Sequence, residues 1–140
     1  MSRLLFAALA FLTLSCLPAA ARSVDVVVYK SSQVMTVTVD GDTWYVWEVS
    51  TARKGKVTPV GTYRPQSFSI DHRSSLYDNA PMPYSVFFHG NYAIHGTYDI
   101  HRLGSPASAG CVRLHVDNAA ELFHLIRDAG KGNTRIIVLD

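Results

Sequence analysis

Val24-Asp25-Val26-Val27-Val28-Tyr29-Lys30-Ser31-Ser32-Gln33-Val34-Met35-Thr36-Val37-Thr38-Val39-Asp40 reads as a pair of β-strands. Val24 to Lys30 and Gln33 to Asp40 are Val-rich runs, and Ser31-Ser32 between them predicts a hairpin. In the second run Val34, Thr36 and Thr38 alternate with Met35, Val37 and Val39, the period of two that a half-buried strand shows. Gly41 then turns the chain into a third strand over Thr43 to Ser50. There Trp44, Val46 and Glu48 oppose Tyr45, Trp47 and Val49, aromatics that suit a core or a groove wall.

Downstream, Lys54-Gly55-Lys56 and Thr58 to Tyr63 mix turn residues with a short strand. Arg64 to Pro83 is polar and rich in Ser, Pro and Asp. A loop longer than about 12–15 residues in a compact domain is functional or disordered, and a lid or wall over a site is the expectation. Tyr84 to His89 and Tyr92 to Ile94 read as short strands around Gly90, delivering His95 at a strand end. After them comes one helix. Asp117 is its expected N-cap, Ala119, Leu122, Phe123 and Ile126 make one apolar face, and Gly130 stops it. Arg135 to Leu139 closes the chain as a strand. The expected fold is mainly β, a mostly antiparallel sheet or sandwich with one packed α-helix.

Arg3, the apolar run Leu4 to Leu14 and the small residues Ala19-Ala20-Ala21 form a secretory signal pattern. Residues 1–21 are therefore expected to be a signal peptide and 22–140 a single exported domain. The apolar run falls short of the roughly 20 residues that span a bilayer, so no stable membrane anchor is expected. Cys16 sits in poor company for a lipid anchor, beside Thr13 and Leu14. With Arg3 removed the net charge is about +1, and no basic stripe suggests a nucleic-acid partner.

Processing leaves Cys111 alone, in a compartment where cysteines usually pair. It stands in Ser108-Ala109-Gly110-Cys111-Val112-Arg113-Leu114, 16 positions after His95 in His95-Gly96-Thr97. A thiol attacks as thiolate, and a nearby imidazole is the common device for taking its proton. Gly110 lets a carbonyl approach backbone N–H groups that can hold an oxyanion. The residues thus point to cysteine acyl transfer. A rival reading uses His89, His95, His101 and Cys111 as zinc or copper ligands. Their spacings match no short zinc pattern, so no metal and no cofactor are expected.

These residues resemble the catalytic signature of the L,D-transpeptidases, the YkuD-type enzymes that remodel bacterial peptidoglycan. Thr58-Pro59-x-Gly61-x-Tyr63, Met82-Pro83-Tyr84 and Phe87-Phe88-His89-Gly90 extend the likeness over nearly all of residues 22–140. The resemblance implies Cys111 as nucleophile and His95 as base, in a groove beneath a flap. It implies that the Gly96 carbonyl orients the imidazole and that backbone N–H groups around Gly110 to Val112 hold the oxyanion. Arg113 would either bind a carboxylate of the stem peptide or brace the cysteine loop. Ser108 would hydrogen-bond within that loop, and His89 and Tyr84 would line the substrate groove. Many members carry histidine where Ala109 stands; here that second candidate base is missing, which strengthens the assignment to His95.

The implied reaction is attack by Cys111 on the diaminopimelate carbonyl of a tetrapeptide stem, release of D-alanine, and transfer to an amine to form a 3→3 cross-link. Water, a free D-amino acid or a lipoprotein lysine are alternative acceptors of the same thioester. The implied setting is the periplasm or cell envelope, with peptidoglycan stem peptides as partners and carbapenems as acylating inhibitors.

Overall fold

The computed structural model describes residues 15–140; the apolar run Leu4 to Leu14 lies outside them. Residues 15–23 are exposed and carry no regular structure. Strands β1 (Val24–Tyr29) and β2 (Val34–Val39) pair antiparallel, Val24 opposite Val39 and Tyr29 opposite Val34. Their alternation sets one face of the hairpin into the core, where Val24, Val26, Val28, Met35, Val37 and Val39 are all buried. Asp40 and Gly41 have φ of 49° and 89°. Two positive φ angles are what a two-residue hairpin turn of the right twist needs, and β3 (Asp42–Glu48) follows at once. Tyr45 and Trp47 of β3 stack at 4.5 Å against the core, opposite Val37 and Met35.

The first sheet is completed by β9 (Thr134–Leu139), parallel to β1, and by the short edge strand β4 (Gly61–Tyr63) on β9. Its order is β3-β2-β1-β9-β4. The second sheet runs β5 (Ser67–Arg73), β6 (Pro81–His89), β7 (Tyr92–Thr97), β8 (Val112–His115), with only β7 and β8 parallel. Helix α1 (Val116–Ala129) packs on β6, β7 and β8 through Ala119, Leu122, Phe123 and Ile126. Burying each large apolar side chain contributes roughly 1.5–3 kcal/mol, so this face outweighs the helix's modest intrinsic propensity.

Two expectations need correction. Arg64 to Pro83 is not one long loop: it holds β5 and the start of β6, joined by a turn over residues 74–80. As an edge strand with half-exposed residues on both faces, β5 lacks the clean alternation of a buried strand. The helix cap is also displaced. The His115 ring accepts the Asp117 N–H at 3.2 Å, and Asp117 itself lies in the first turn, where its charge suits the helix dipole. At the other end the Gly130 N–H closes on the Ile126 carbonyl.

Candidate active site

The parallel pairing of β7 with β8 sets Ile94 opposite Val112 and His95 opposite Arg113. Side chains alternate across a sheet. Ile94, Val112 and Leu114 point into the core and are buried, so His95, Thr97, Cys111 and Arg113 project from the other face. These four line one cavity of about 750 Å³. The turn between β5 and β6 walls it with Leu76 and Tyr77, the turn between β6 and β7 with Gly90 and Asn91, and the start of β7 with Tyr92.

His95 is 5% exposed, and its Nδ1 lies 2.7 Å from the Gly96 carbonyl oxygen. A carbonyl only accepts, so Nδ1 carries the hydrogen and Nε2 keeps its lone pair in the neutral ring. Burial pushes the His95 pKa down to about 4, against the Gly96 hydrogen bond, with the positive charge of Arg113 and then His72 adding to the fall. The imidazole is therefore a neutral base at pH 7. Burial also pushes the Cys111 thiol up, opposed by the Ala93 backbone and the Arg113 charge. Burial thus favours the neutral form of both groups, and the Cys111 thiol donates to the Asn91 carbonyl at 3.7 Å.

Arg113 is half-buried, and burial lowers its pKa while Asp99 and Cys111 oppose the change. A guanidinium remains charged through such shifts. Among the described residues it has no ion-pair partner, because Asp99 is shared by His101 and Arg102 at 3.2 Å each. A free, fork-shaped cation thus faces the cavity beside the thiol.

The cysteine loop is held from within. The Ser108 hydroxyl donates to the Cys111 carbonyl at 2.6 Å and accepts the Gly110 N–H at 3.0 Å. The Thr58 hydroxyl donates to the Gly110 carbonyl at 2.7 Å. Gly110 therefore has no free N–H for an oxyanion, a correction to the expectation above. Its requirement is steric: φ is +144°, and a Cβ would stand 2.6 Å from Tyr92 Cε1 and 2.9 Å from the Val57 carbonyl oxygen. Val112 sits in the ladder opposite Ile94 with its side chain in the core. The N–H groups of Ala109 and Cys111 have no acceptor among the described residues.

The other sequence-derived residues divide clearly. His89 lines the cavity; Ser108 borders it, but its hydroxyl is spent on the loop. Tyr84 is not in the groove. At a φ of 54° it turns onto the helix, packing edge-on against Phe123 and His124. Among the remaining histidines, His72 packs on Phe87, His101 pairs with Asp99 and His115 caps the helix. Among the described residues no three His, Cys, Asp or Glu side chains gather as a metal-binding group, and His101 does not reach the cavity that His89, His95 and Cys111 share. Sequence reasoning missed Arg53, Tyr77, Tyr98 and Asp99 in the cavity wall. They lie on loops and a turn and carry no periodic signal; only the polar stretch around Tyr77 hinted at a wall.

Residues 23–138 match the family described as the L,D-transpeptidase catalytic domain. No curated protein matches the chain. Among solved structures, an L,D-transpeptidase from Mycobacterium smegmatis is similar at a TM-score of 0.76 and 22% identity, over 85% of this chain and 59% of that one. L,D-transpeptidase 3 from Mycobacterium tuberculosis, in complex with a faropenem-derived adduct, gives 0.74 and 21% over 85% and 61%. An L,D-transpeptidase from Stackebrandtia nassauensis gives 0.73 and 24% over 90% and 59%. The chain thus spans about three fifths of the length of these structures. Among the described residues no helix is long and apolar enough to cross a membrane.

Proposed function

Because the chain belongs to the family of L,D-transpeptidase catalytic domains, we propose that it is a cysteine acyltransferase of peptidoglycan remodelling. Cys111 is the nucleophile and His95 the base. The observation that carries this reading is the buried His95 ring, fixed by the Gly96 carbonyl with Nε2 unprotonated, on the same cavity face as Cys111.

As the sulfur attacks the diaminopimelate carbonyl of a tetrapeptide stem, its proton passes to Nε2 of His95. The Cys111 N–H stabilises the developing oxyanion, a donor role whose loss typically costs about 10²–10³ in rate. The imidazolium then protonates the departing D-alanine, leaving a thioester. An amine of a second stem attacks that thioester, returns a proton through His95 and forms a 3→3 cross-link. Arg113 takes a carboxylate of the donor peptide, since a guanidinium fork matches a carboxylate. Residues 1–21 act as the export signal that brings the domain to the cell envelope.

The test is incubation of residues 22–140 with disaccharide-tetrapeptide, read by mass spectrometry beside Cys111→Ala. Dimers formed with loss of D-alanine, absent in the variant, are the expected result. Tripeptide alone makes water the acceptor and the protein a carboxypeptidase. An absence of Cys111-dependent product on free, cross-linked and lipoprotein-bearing stems overturns the reading. A carbapenem should also add its mass to the parent protein and leave Cys111→Ala unmodified.

A further inference from the structure

We propose that Gln33, in the turn between β1 and β2 of the first sheet, is a positioning residue for the reaction of Cys111 in the second. The inference rests on the reading of Cys111 as nucleophile. Gln33 does not line the cavity and touches no reacting atom; it acts through the Thr51 segment.

Glutamine is a surface residue in most folds, and a positive φ is uncommon outside glycine, asparagine and aspartate. Gln33 is 4% exposed at a φ of 54°. All the polar atoms of its side chain are engaged. Nε2 donates to the Lys30 carbonyl at 2.7 Å and to the Thr51 hydroxyl at 2.6 Å, while Oε1 accepts the Thr51 N–H at 2.8 Å. The hairpin itself is already held by its ladder from Val24–Val39 to Tyr29–Val34. Two of the three bonds go elsewhere, to Thr51.

Thr51 is buried, and its carbonyl accepts the N–H groups of both Ala107 and Ser108, at 3.0 and 2.9 Å. The neighbouring Ser50 exchanges backbone hydrogen bonds with Arg113 at 3.0 and 2.9 Å. The segment therefore grips the cysteine loop on both sides of Cys111. Within the grip, the Ser108 hydroxyl closes on the Cys111 carbonyl at 2.6 Å. Gln33 is joined to Thr51 by two hydrogen bonds, Thr51 to Ser108 by one and Ser108 to Cys111 by one. Misplacing a reacting group by about 1 Å can cost 10²-fold in rate even when the change is remote. A side chain that fixes this segment consequently fixes the sulfur.

The test compares Gln33→Ala with Val37→Ala, a core change in the same hairpin that touches none of these links. Both are measured by turnover of disaccharide-tetrapeptide well below their melting temperatures, and by equilibrium unfolding. Gln33→Ala should lower kcat by about tenfold or more with KM within about twofold, whereas Val37→Ala loses stability and keeps kcat. Should Gln33→Ala fail to fold, Gln33→Met fills much of the same volume without the hydrogen bonds to Thr51 and should show the same fall in kcat. In a Ser108→Ala background, where the last link is already cut, the effect of Gln33→Ala on kcat should shrink to less than about threefold. An unchanged kcat with lowered stability, or effects that simply multiply, overturns the positioning role while leaving the proposed function intact. Loss of Cys111-dependent turnover in the parent would instead overturn that function, and this inference with it.

Discussion

Nδ1 of His95 stands 2.7 Å from the carbonyl oxygen of Gly96, and that one contact decides which ring nitrogen is free to take a proton. Burial, working against this hydrogen bond and helped by the charge of Arg113, brings the His95 pKa down to about 4. The acid limb of kcat/KM for the free enzyme should therefore fall near pH 4 rather than near the usual histidine range. On the alkaline side the raised thiol pKa of Cys111 moves the decline above the ordinary cysteine range. A pH–rate profile between 3.5 and 10 checks both limbs; an acid limb at pH 6 to 7 would contradict the buried, neutral ring.

The same group couples pH to stability. The folded His95 pKa of about 4 lies below its unfolded value of 6.5, so the unfolded chain takes up the proton first as pH falls. Its contribution is complete above pH 6.5 and is lost between 6.5 and 4, amounting to about 3 kcal/mol. Urea unfolding at pH 7.5, 5.5 and 4.5 should show this loss in the parent. In His95→Gln, which cannot titrate, the dependence over that window should be correspondingly flatter.

Among the glycines, Gly110 has the least room for a side chain. A methyl group there meets Tyr92 Cε1 at 2.6 Å and the Val57 carbonyl oxygen at 2.9 Å, on a backbone with a φ of +144°. Tyr92 can swing; the Val57 backbone and the dihedral cannot adjust cheaply. Gly110→Ala should lower stability by about 1–3 kcal/mol and reduce turnover by two orders of magnitude or more, since the displaced loop carries Cys111. Thermal unfolding and steady-state kinetics on the same preparation check both effects.

What the sequence shows of this fold follows from which contacts are local. The Val24–Val39 hairpin and the Ala119–Ile126 helix face announce themselves because their core residues recur at the period of the element. The Cys111 loop is legible through its residue types and its resemblance to a known signature. The strand β5 is not, because an edge strand with mixed faces looks like a polar loop. Tyr84 illustrates a second limit: its place in the motif suggested the groove, but a φ of 54° turns the ring onto Phe123. Gln33 and Thr51 meet across 18 positions, a pairing with no periodic trace. The same holds for β1 and β9, which lie side by side from opposite ends of the domain.

Arg113 offers the sharpest check on how the substrate is held. Its guanidinium is half-buried, faces the cavity and has no ion-pair partner among the described residues, while Asp99 is already occupied by His101 and Arg102. A charge-assisted hydrogen bond to such a group contributes about 1.5–3 kcal/mol. Arg113→Ala should therefore lower kcat/KM by roughly 10- to 100-fold on a tetrapeptide with a free terminal carboxylate. Arg113→Lys should recover only part of that, because an ammonium keeps the charge but not the fork. Repeating the measurement with the terminal carboxylate amidated identifies the partner. If Arg113 reads that carboxylate, the amide is a poor substrate for the parent and the substitution adds little further loss. If the substitution costs the same on both peptides, Arg113 braces the loop or binds another carboxylate of the stem, and the terminal one is not its ligand.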